Sequence, residues 1–460
     1  MFLLIYKILF ISQLAWGISD EYPCDPKHKS LIEKYIKLYD KIPKWKKIKK
    51  KNIRRYLRTG SKNCVYSKKR YVDKFLFEQK SRIGVILPLT GKNSQLGRTV
   101  LDGMYKAITA HGFDPKNYIF IKDTQSDPSK AEPLLAELVF NHEVDIIIGG
   151  LEKNSAKKLA SWSQKLKLTT ILLSPSTWVK KSNTIFHIFP DSKLMGQSLA
   201  NYSVYKNYRR IAILEPQKQK PSQILNSFRT EALQAGIKIY QPMSYVRGNF
   251  DSINNVVKKI FKLSKENRRK EFQALYNEAK NLAKTKNEPF IPRSVVLPPL
   301  IEYDAILIAD NFRMTKHILK IFKFHGVHKV PLIGIPQWRS KELLKENEPI
   351  LDGAVFADFI GSYSNLPQPI KPGSGFLLKA KQVEDLDYRI LGYRAATLSM
   401  KTITTKGSRK SLSNRLLSQN NYKQAWLPTG RSFNSNRIAR FKTWLLEVNG
   451  KNVALYSNQL

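Results

Sequence analysis

RIGVILPLTGKNSQLGRTVLDGMYKAI, residues 82–108, sets the reading of the whole chain. Its first six residues form an apolar run that stops at Pro88-Leu89-Thr90-Gly91. From Ser94 the apolar residues Leu96, Val100, Met104 and Ile108 recur at helical spacing. A short run without polar alternation fits a strand buried on both faces, and such strands belong to parallel sheets covered by helices. The alternation then repeats. Strands are expected at Tyr118–Lys122, Val144–Ile148 and Leu168–Leu173, with helices at Ser129–Asn141 and Ser155–Leu166. A second series follows: strand Arg210–Leu214, helix Pro221–Ala235 and strand Ile237–Met243. Helix Ser252–Leu263, strand Tyr303–Ala309, helix Thr315–His325 and strands Val330–Ile335 and Gly353–Ala357 complete it. Strand–helix alternation at this spacing predicts an α/β protein with two doubly wound parallel-sheet lobes.

The expected divisions follow from changes in texture. Residues 82–200 form a first lobe, completed by 365–420, and 205–362 a second, completed by 425–460. Residues 264–293 are highly charged, with mixed signs at i,i+4 spacing, and are expected to be a solvated helical insertion. Residues 1–17 read as a signal peptide: Lys7 lies within an apolar run, and Ala15-Trp16-Gly17 suits cleavage after Gly17. Residues 18–80 form a basic N-terminal extension.

Charge is the outlier of the composition. Lys+Arg 79 against Asp+Glu 36 gives +43, on an otherwise globular balance of 42% hydrophobic and 25% charged residues. Such a surface attracts polyanions. Lys41–Arg58 carries ten basic residues and no acid, with Trp45, Ile48, Ile53 and Tyr56 interleaved. Lys44, Lys46, Lys47, Lys49, Lys50, Lys51, Arg54 and Arg55 are its candidate polyanion contacts, and a solvated linker is the competing reading. Export turns the expectation from nucleic acid toward an envelope polymer or anionic lipid headgroups, a peripheral membrane contact. It also permits a Cys24–Cys64 disulfide, with two unpaired cysteines as the alternative.

No motif points to catalysis. The sequence lacks G-x-S-x-G, G-x-x-x-x-G-K-[ST] and G-x-G-x-x-G, and its seven histidines are scattered. His325 and His328 have no cysteine or carboxylate near them in sequence, a weak metal signal. The expectation is a non-enzyme without cofactor or metal. Binding residues are expected on loops at the carboxyl ends of strands, where open α/β sheets take ligands. In the first lobe these are Thr90, Gly91 and Asn93, then Gly149 and Gly150, whose backbone suits an anion, then Ser174, Ser176 and Thr177. In the second they are Asp310, as partner of an ammonium group, and Trp338, as cover for an apolar side chain. Each has a plainer alternative. The hydroxyls suit turns and caps. Asp310 suits the cap of a helix starting near Arg313, and Trp338 suits packing at the lobe surface. Asp123 and Asp127 read as turn residues.

Residues 82–456 resemble type I periplasmic binding proteins of the leucine/isoleucine/valine-receptor kind. The likeness is nearest to the penicillin-binding protein activators, regulators of peptidoglycan synthases. The opening stretch, IKDTQSDPSKA, VDIIIGGLEKNSAKKLA, TTILLSPS, YDAILIADNF, VPLIGIPQW, LDGAVFADFI, GYRAATLSM and TGRSFNSNRIARFKTWLLEVNGK occur in the family's order. The chain departs from the activators in lacking a lipid-acceptor cysteine, and from solute receptors in its charge and basic extension. The resemblance implies a periplasmic or envelope protein with a central cleft, in which hydroxyls of the Ser174 loop hold a carboxylate. Two roles follow: regulation of peptidoglycan synthesis by contact with a synthase or wall polymer, or reception of a branched-chain amino acid or small peptide for an ABC importer.

Overall fold

The computed structural model describes residues 82–217, 222–240, 243–340, 342–346, 348–361, 380–404, 411–421, 427–450 and 452–456. The signal segment, the basic run Lys41–Arg58 and both cysteines lie outside these residues. The chain forms two compact units. One runs to Phe189 and takes up Leu391–Gln419 and Ser435–Ile438. The other comprises Pro190–Ile390, Asn420–Asn434 and Ala439–Leu460.

In the first unit, β1 (Ile83–Leu87), β2 (Ile119–Asp123), β3 (Ile146–Gly149), β4 (Thr169–Leu172) and β5 (Ile185–His187) form a sheet in the order β2-β1-β3-β4-β5. Every pairing is parallel. The continuous apolar runs have the predicted cause: β1, β3 and β4 are buried at every position. Helices α1 (Ser94–Ala110), α2 (Ala131–Phe140) and α3 (Lys153–Leu166) make the crossovers. Leu138, Phe140, Leu159 and Leu166 form a core with Ile86, Ile147 and Leu172. Strand β5 was not anticipated; it is three residues long.

In the second unit, α4 (Ser192–Tyr205) precedes β6 (Arg210–Pro216), α5 (Gln223–Gln234), β7 (Lys238–Ile239), β8 (Met243–Tyr245) and α6 (Phe250–Ile260). Next come α7 (Arg269–Thr285), β9 (Ala305–Ile308), α8 (Phe312–Phe324), β10 (Leu332–Gly334) and β11 (Val355–Asp358). Helix α7 buries none of its residues, as its charge pattern requires. Helix α9 (Ala380–Thr404) is counted with the second unit to Ile390 and with the first from Leu391. Within the first unit, a Cβ at Gly392 would lie 2.0 Å from the Val100 carbonyl oxygen, so the two helix backbones need glycine there. Helix α10 (Leu412–Leu417) and strands β12 (Asn420–Asn421), β13 (Gly430–Arg431), β14 (Trp444–Asn449) and β15 (Asn452–Leu455) close the chain.

The second sheet runs β15-β14-β11-β10-β9-β6-β7, and β8 also pairs with β6. The expected strand 237–243 is thus two short pieces: β7 beside the start of β6 and β8 beside its end. One edge is antiparallel, because the closing hairpin adds β14 to β11. No described helix is long and apolar enough to cross a membrane.

Candidate functional site

In the first sheet the crossovers diverge between β1 and β3, the switch point at which doubly wound sheets open a crevice. The loop after β1 is held by the loop after β2. Asp123 accepts the backbone N–H groups of Leu89 at 2.8 Å, Thr90 at 3.3 Å and Gln125 at 2.7 Å. It also accepts the Thr90 hydroxyl at 2.7 Å. Burial pushes this carboxyl upward, but the Thr90 hydroxyl and the three N–H groups outweigh it and hold Asp123 below its ordinary value. Asp123 is therefore a turn residue. Gly91 has φ +81°, and a Cβ there would meet Gln125 and Ser126, so glycine is required by the fold.

The Asn93 backbone N–H donates to Ser126 Oγ at 3.1 Å, and its side-chain amide donates to Glu152 Oε1. That bond ties together the two loops that flank the switch point. Glu152 stands at the N-terminus of α3, where a carboxylate complements the helix dipole. Gly149 and Gly150 were expected to present an open anion cradle, and packing explains both instead. A Cβ at Gly149 would lie 2.5 Å from the Ile86 carbonyl oxygen, and Gly150 has φ +74° with Leu172 against it. The negative charge at this helix end is the protein's own.

Ser174, after β4, is different. It has no exposed surface, and its hydroxyl has no partner among the described residues. Leaving a buried hydroxyl unpaired costs about 1–3 kcal/mol. Thr124, beside Asp123, shares that condition at 1% exposure. The Ser174 carbonyl accepts from Nδ1 of the buried His187, 3.1 Å away. Burial lowers the His187 pKa, and the bond to Ser174 offsets this only in part, so the ring is neutral with its proton on Nδ1. Ser176 is half-buried at the start of a single turn, Ser176–Trp178, and Thr177 is exposed.

In the second unit two expectations are corrected. Asp310, 1% exposed, is not placed to take an ammonium group, because its carboxylate is already used. It accepts Tyr245 Oη at 2.8 Å, Arg247 Nε at 2.8 Å and Nη2 at 2.5 Å, and the Asn311 N–H at 2.7 Å. Nor does it cap the next helix; Asn311 does, accepting from Met314 N at 2.9 Å. Burial and then the Asp310 charge raise the Tyr245 hydroxyl pKa, so it stays a donor. Trp338, proposed as a ligand cover, has no exposed surface. Its ring lies over Gly334, where a Cβ would come within 2.3 Å of it, and against Phe312 and Phe356 with centroids 5.9 and 6.3 Å away. It is core.

A second buried ion cluster lies at the ends of β10 and β11. Arg339 bonds both Asp358 and Asp387. Burial pushes the Asp358 carboxyl up to about 6; Arg339 opposes this, and the Asp387 charge adds to it. Glu215, near the end of β6, pairs with Arg229 at 2.7 Å. Glu152, His187, Arg247 and Arg339 were not singled out from sequence. Among the described residues no group of three His, Cys, Asp or Glu side chains could hold a metal.

Residues 80–262 match the family pattern described as "Periplasmic binding protein". No curated protein matches the chain. Solved structures do. One from Rhodospirillum rubrum, assigned to branched-chain amino acid ABC transport, is 14% identical with a TM-score of 0.59 and covers 82% of this chain and 100% of its own. A leucine-binding protein from Thermotoga maritima is 16% identical with a TM-score of 0.52, covering 82% and 98%. A solute-binding protein of an ABC transporter from R. palustris, in complex with benzoate, is 13% identical with a TM-score of 0.51, covering 81% and 94%. The fold is that of the type I periplasmic binding proteins.

Proposed function

We propose that this chain is an exported solute-binding protein that captures a small organic molecule in the periplasm or cell envelope and performs no chemistry on it. The observation that carries the reading is Ser174: a fully buried hydroxyl without a partner at the carboxyl end of a parallel strand. A ligand that displaces the loop after β4 would reach this hydroxyl and supply the missing hydrogen bond. Thr90, Asn93, Ser176 and Thr177 lie on loops at strand ends of the same sheet. Support also comes from the family match over 80–262 and from structures aligned with this chain over 98% and 94% of their own length, one a leucine-binding protein and the other holding benzoate. Reception of a branched-chain amino acid, a small peptide or an organic acid for an ABC importer is the role that fits.

Thermal melting of the purified chain against amino acids, short peptides and organic acids tests this. A ligand present at 100 times its dissociation constant should add about 2.7 kcal/mol; flat curves across the panel count against it. Ser174→Ala should leave the ligand-free chain as stable or more stable, by up to about 1–3 kcal/mol, and weaken the ligand about tenfold, the worth of one hydrogen bond. An unchanged affinity would remove Ser174 from the site.

The charge of +43 favours a second reading, in which an envelope polyanion or a peptidoglycan synthase is the partner and Lys41–Arg58 the contact. Binding to purified wall sacculi should then weaken steeply with salt, because exposed charges are screened over about 8 Å at 0.15 M. Deletion of 41–58 should abolish it. Retained binding with the same salt dependence would make the segment a linker.

A further inference from the structure

The ion pair that takes Asp310 out of service equips the same strand ends with a different group. We infer that Arg247 is an anion-binding residue, and that the solute this unit accepts carries a carboxylate attached to an apolar body. The inference rests on the receptor reading above and specifies its ligand class.

A guanidinium has five N–H donors. Arg247 spends one from Nε and one from Nη2 on Asp310. Nη1 has no partner among the described residues, and the side chain is 49% exposed. The outward fork of Nη1 and the second Nη2 hydrogen is the arrangement that grips a carboxylate with two parallel bonds. Its orientation is already fixed by a carboxylate with no exposed side-chain surface. The rotamer entropy a free surface arginine would lose on binding is thus already spent. Asp310 also accepts Tyr245 Oη and the Asn311 N–H, so the carboxylate that orients Arg247 is itself held in place.

Placement supports the same conclusion. Arg247 follows β8, beside the carboxyl ends of β6 and β9, on the edge of a parallel sheet where ligands bind. The acids at these strand ends, Glu215, Asp310 and Asp358, each have an arginine partner: Arg229, Arg247 and Arg339. A ligand ammonium would therefore find each of these carboxylates already paired, whereas Arg247 keeps N–H donors that its own partner does not use. The immediate neighbours define the rest of the ligand. Val246 and Phe250 are 46% and 60% exposed, an unusual outlay of apolar surface on either side of a charged residue. Between them Gly248 turns the chain at φ +78°, with nothing within 4 Å of where its Cβ would be.

The test uses matched compounds on the purified full chain: 4-methylpentanoate and benzoate, their primary amides, leucine and isoamylamine. Melting and calorimetry should show binding of at least one carboxylate and none of its amide. In the double variant R247Q/D310N an uncharged pair replaces the ion pair, so no buried carboxylate is orphaned. Its melting temperature should stay near that of the wild type, while carboxylate affinity falls tenfold to a hundredfold. R247K should give an intermediate loss. Amides binding as tightly as acids, or an unchanged affinity in the double variant, would overturn the inference. Binding of leucine or an amide without binding of either acid would overturn it and leave the receptor reading intact. No binding by any compound would count against both.

Discussion

Replacing Arg339 by methionine should cost about 3–5 kcal/mol at pH 8, because removal of one partner leaves a buried charge uncompensated. Arg339 and Asp358 are 9% and 0% exposed at their side chains, so water cannot substitute for the lost partner. The variant should recover much of this stability on acidification, and the sign follows from the groups present. Asp358 already sits near 6, against an ordinary value of 3.8. Without Arg339, burial and the Asp387 charge push it higher, opposed only by the backbone N–H groups of Phe359 and Ile360. Over the range between the two values the folded state binds a proton that the unfolded state does not, so stability rises as pH falls. Chemical denaturation at pH 8 and pH 5 checks this. Equal losses at both would mean that Asp358 is not the group left exposed to the field.

Trp338→Ala should be comparably severe, about 3–5 kcal/mol, the usual cost of truncating a buried aromatic ring in a core. For a unit of this size the melting transition should fall by roughly 6–20 °C. The indole fills space over Gly334 and between Phe312 and Phe356, and its removal leaves a cavity that three rigid neighbours cannot close. Ligand affinity, measured at a temperature where the variant is folded, should stay within about twofold. A hundredfold loss of affinity with little change in melting would restore the ligand-cover role.

The sequence carried what is local. Strands such as Ile83–Leu87 and Ala305–Ile308 are apolar at nearly every position and buried at all of them, so pattern and structure coincide. Helix α4 escaped because the face it buries is built largely from small residues: Gly196, Ala200 and Ser203 stand among Met195, Leu199 and Tyr202. Such a face is weakly hydrophobic and gives little periodic signal. The closing hairpin was legible only through the family resemblance. The site was harder, because its decisive contacts are non-local. Asp310 looked like a free acid at a strand end; the arginine that occupies it lies 63 residues earlier, in a stretch with no motif. Asn93 was singled out, but its partner Glu152 is 59 residues away. Trp338 had a local clue that was not used: Gly334, four residues before it, clears the space into which the ring folds.

The first unit is assembled from pieces that leave the ribosome far apart in time. Its sheet is encoded by the first 189 residues, yet Leu391–Gln419 and Ser435–Ile438 belong to the same body. Thr169 and Ser413, 244 positions apart, share a hydrogen bond of 2.8 Å, and the His187 N–H donates to the Arg437 carbonyl. At a synthesis rate of about 5–20 residues per second, the wait between the two halves of that first contact is roughly 10–50 s. During that time the nascent first unit lacks one of its covering helices, and the backbone at Val100 has no mate. The unit synthesised first is therefore completed late. Until Leu391–Gln419 is made, the first unit cannot close the contacts at Val100 and Thr169.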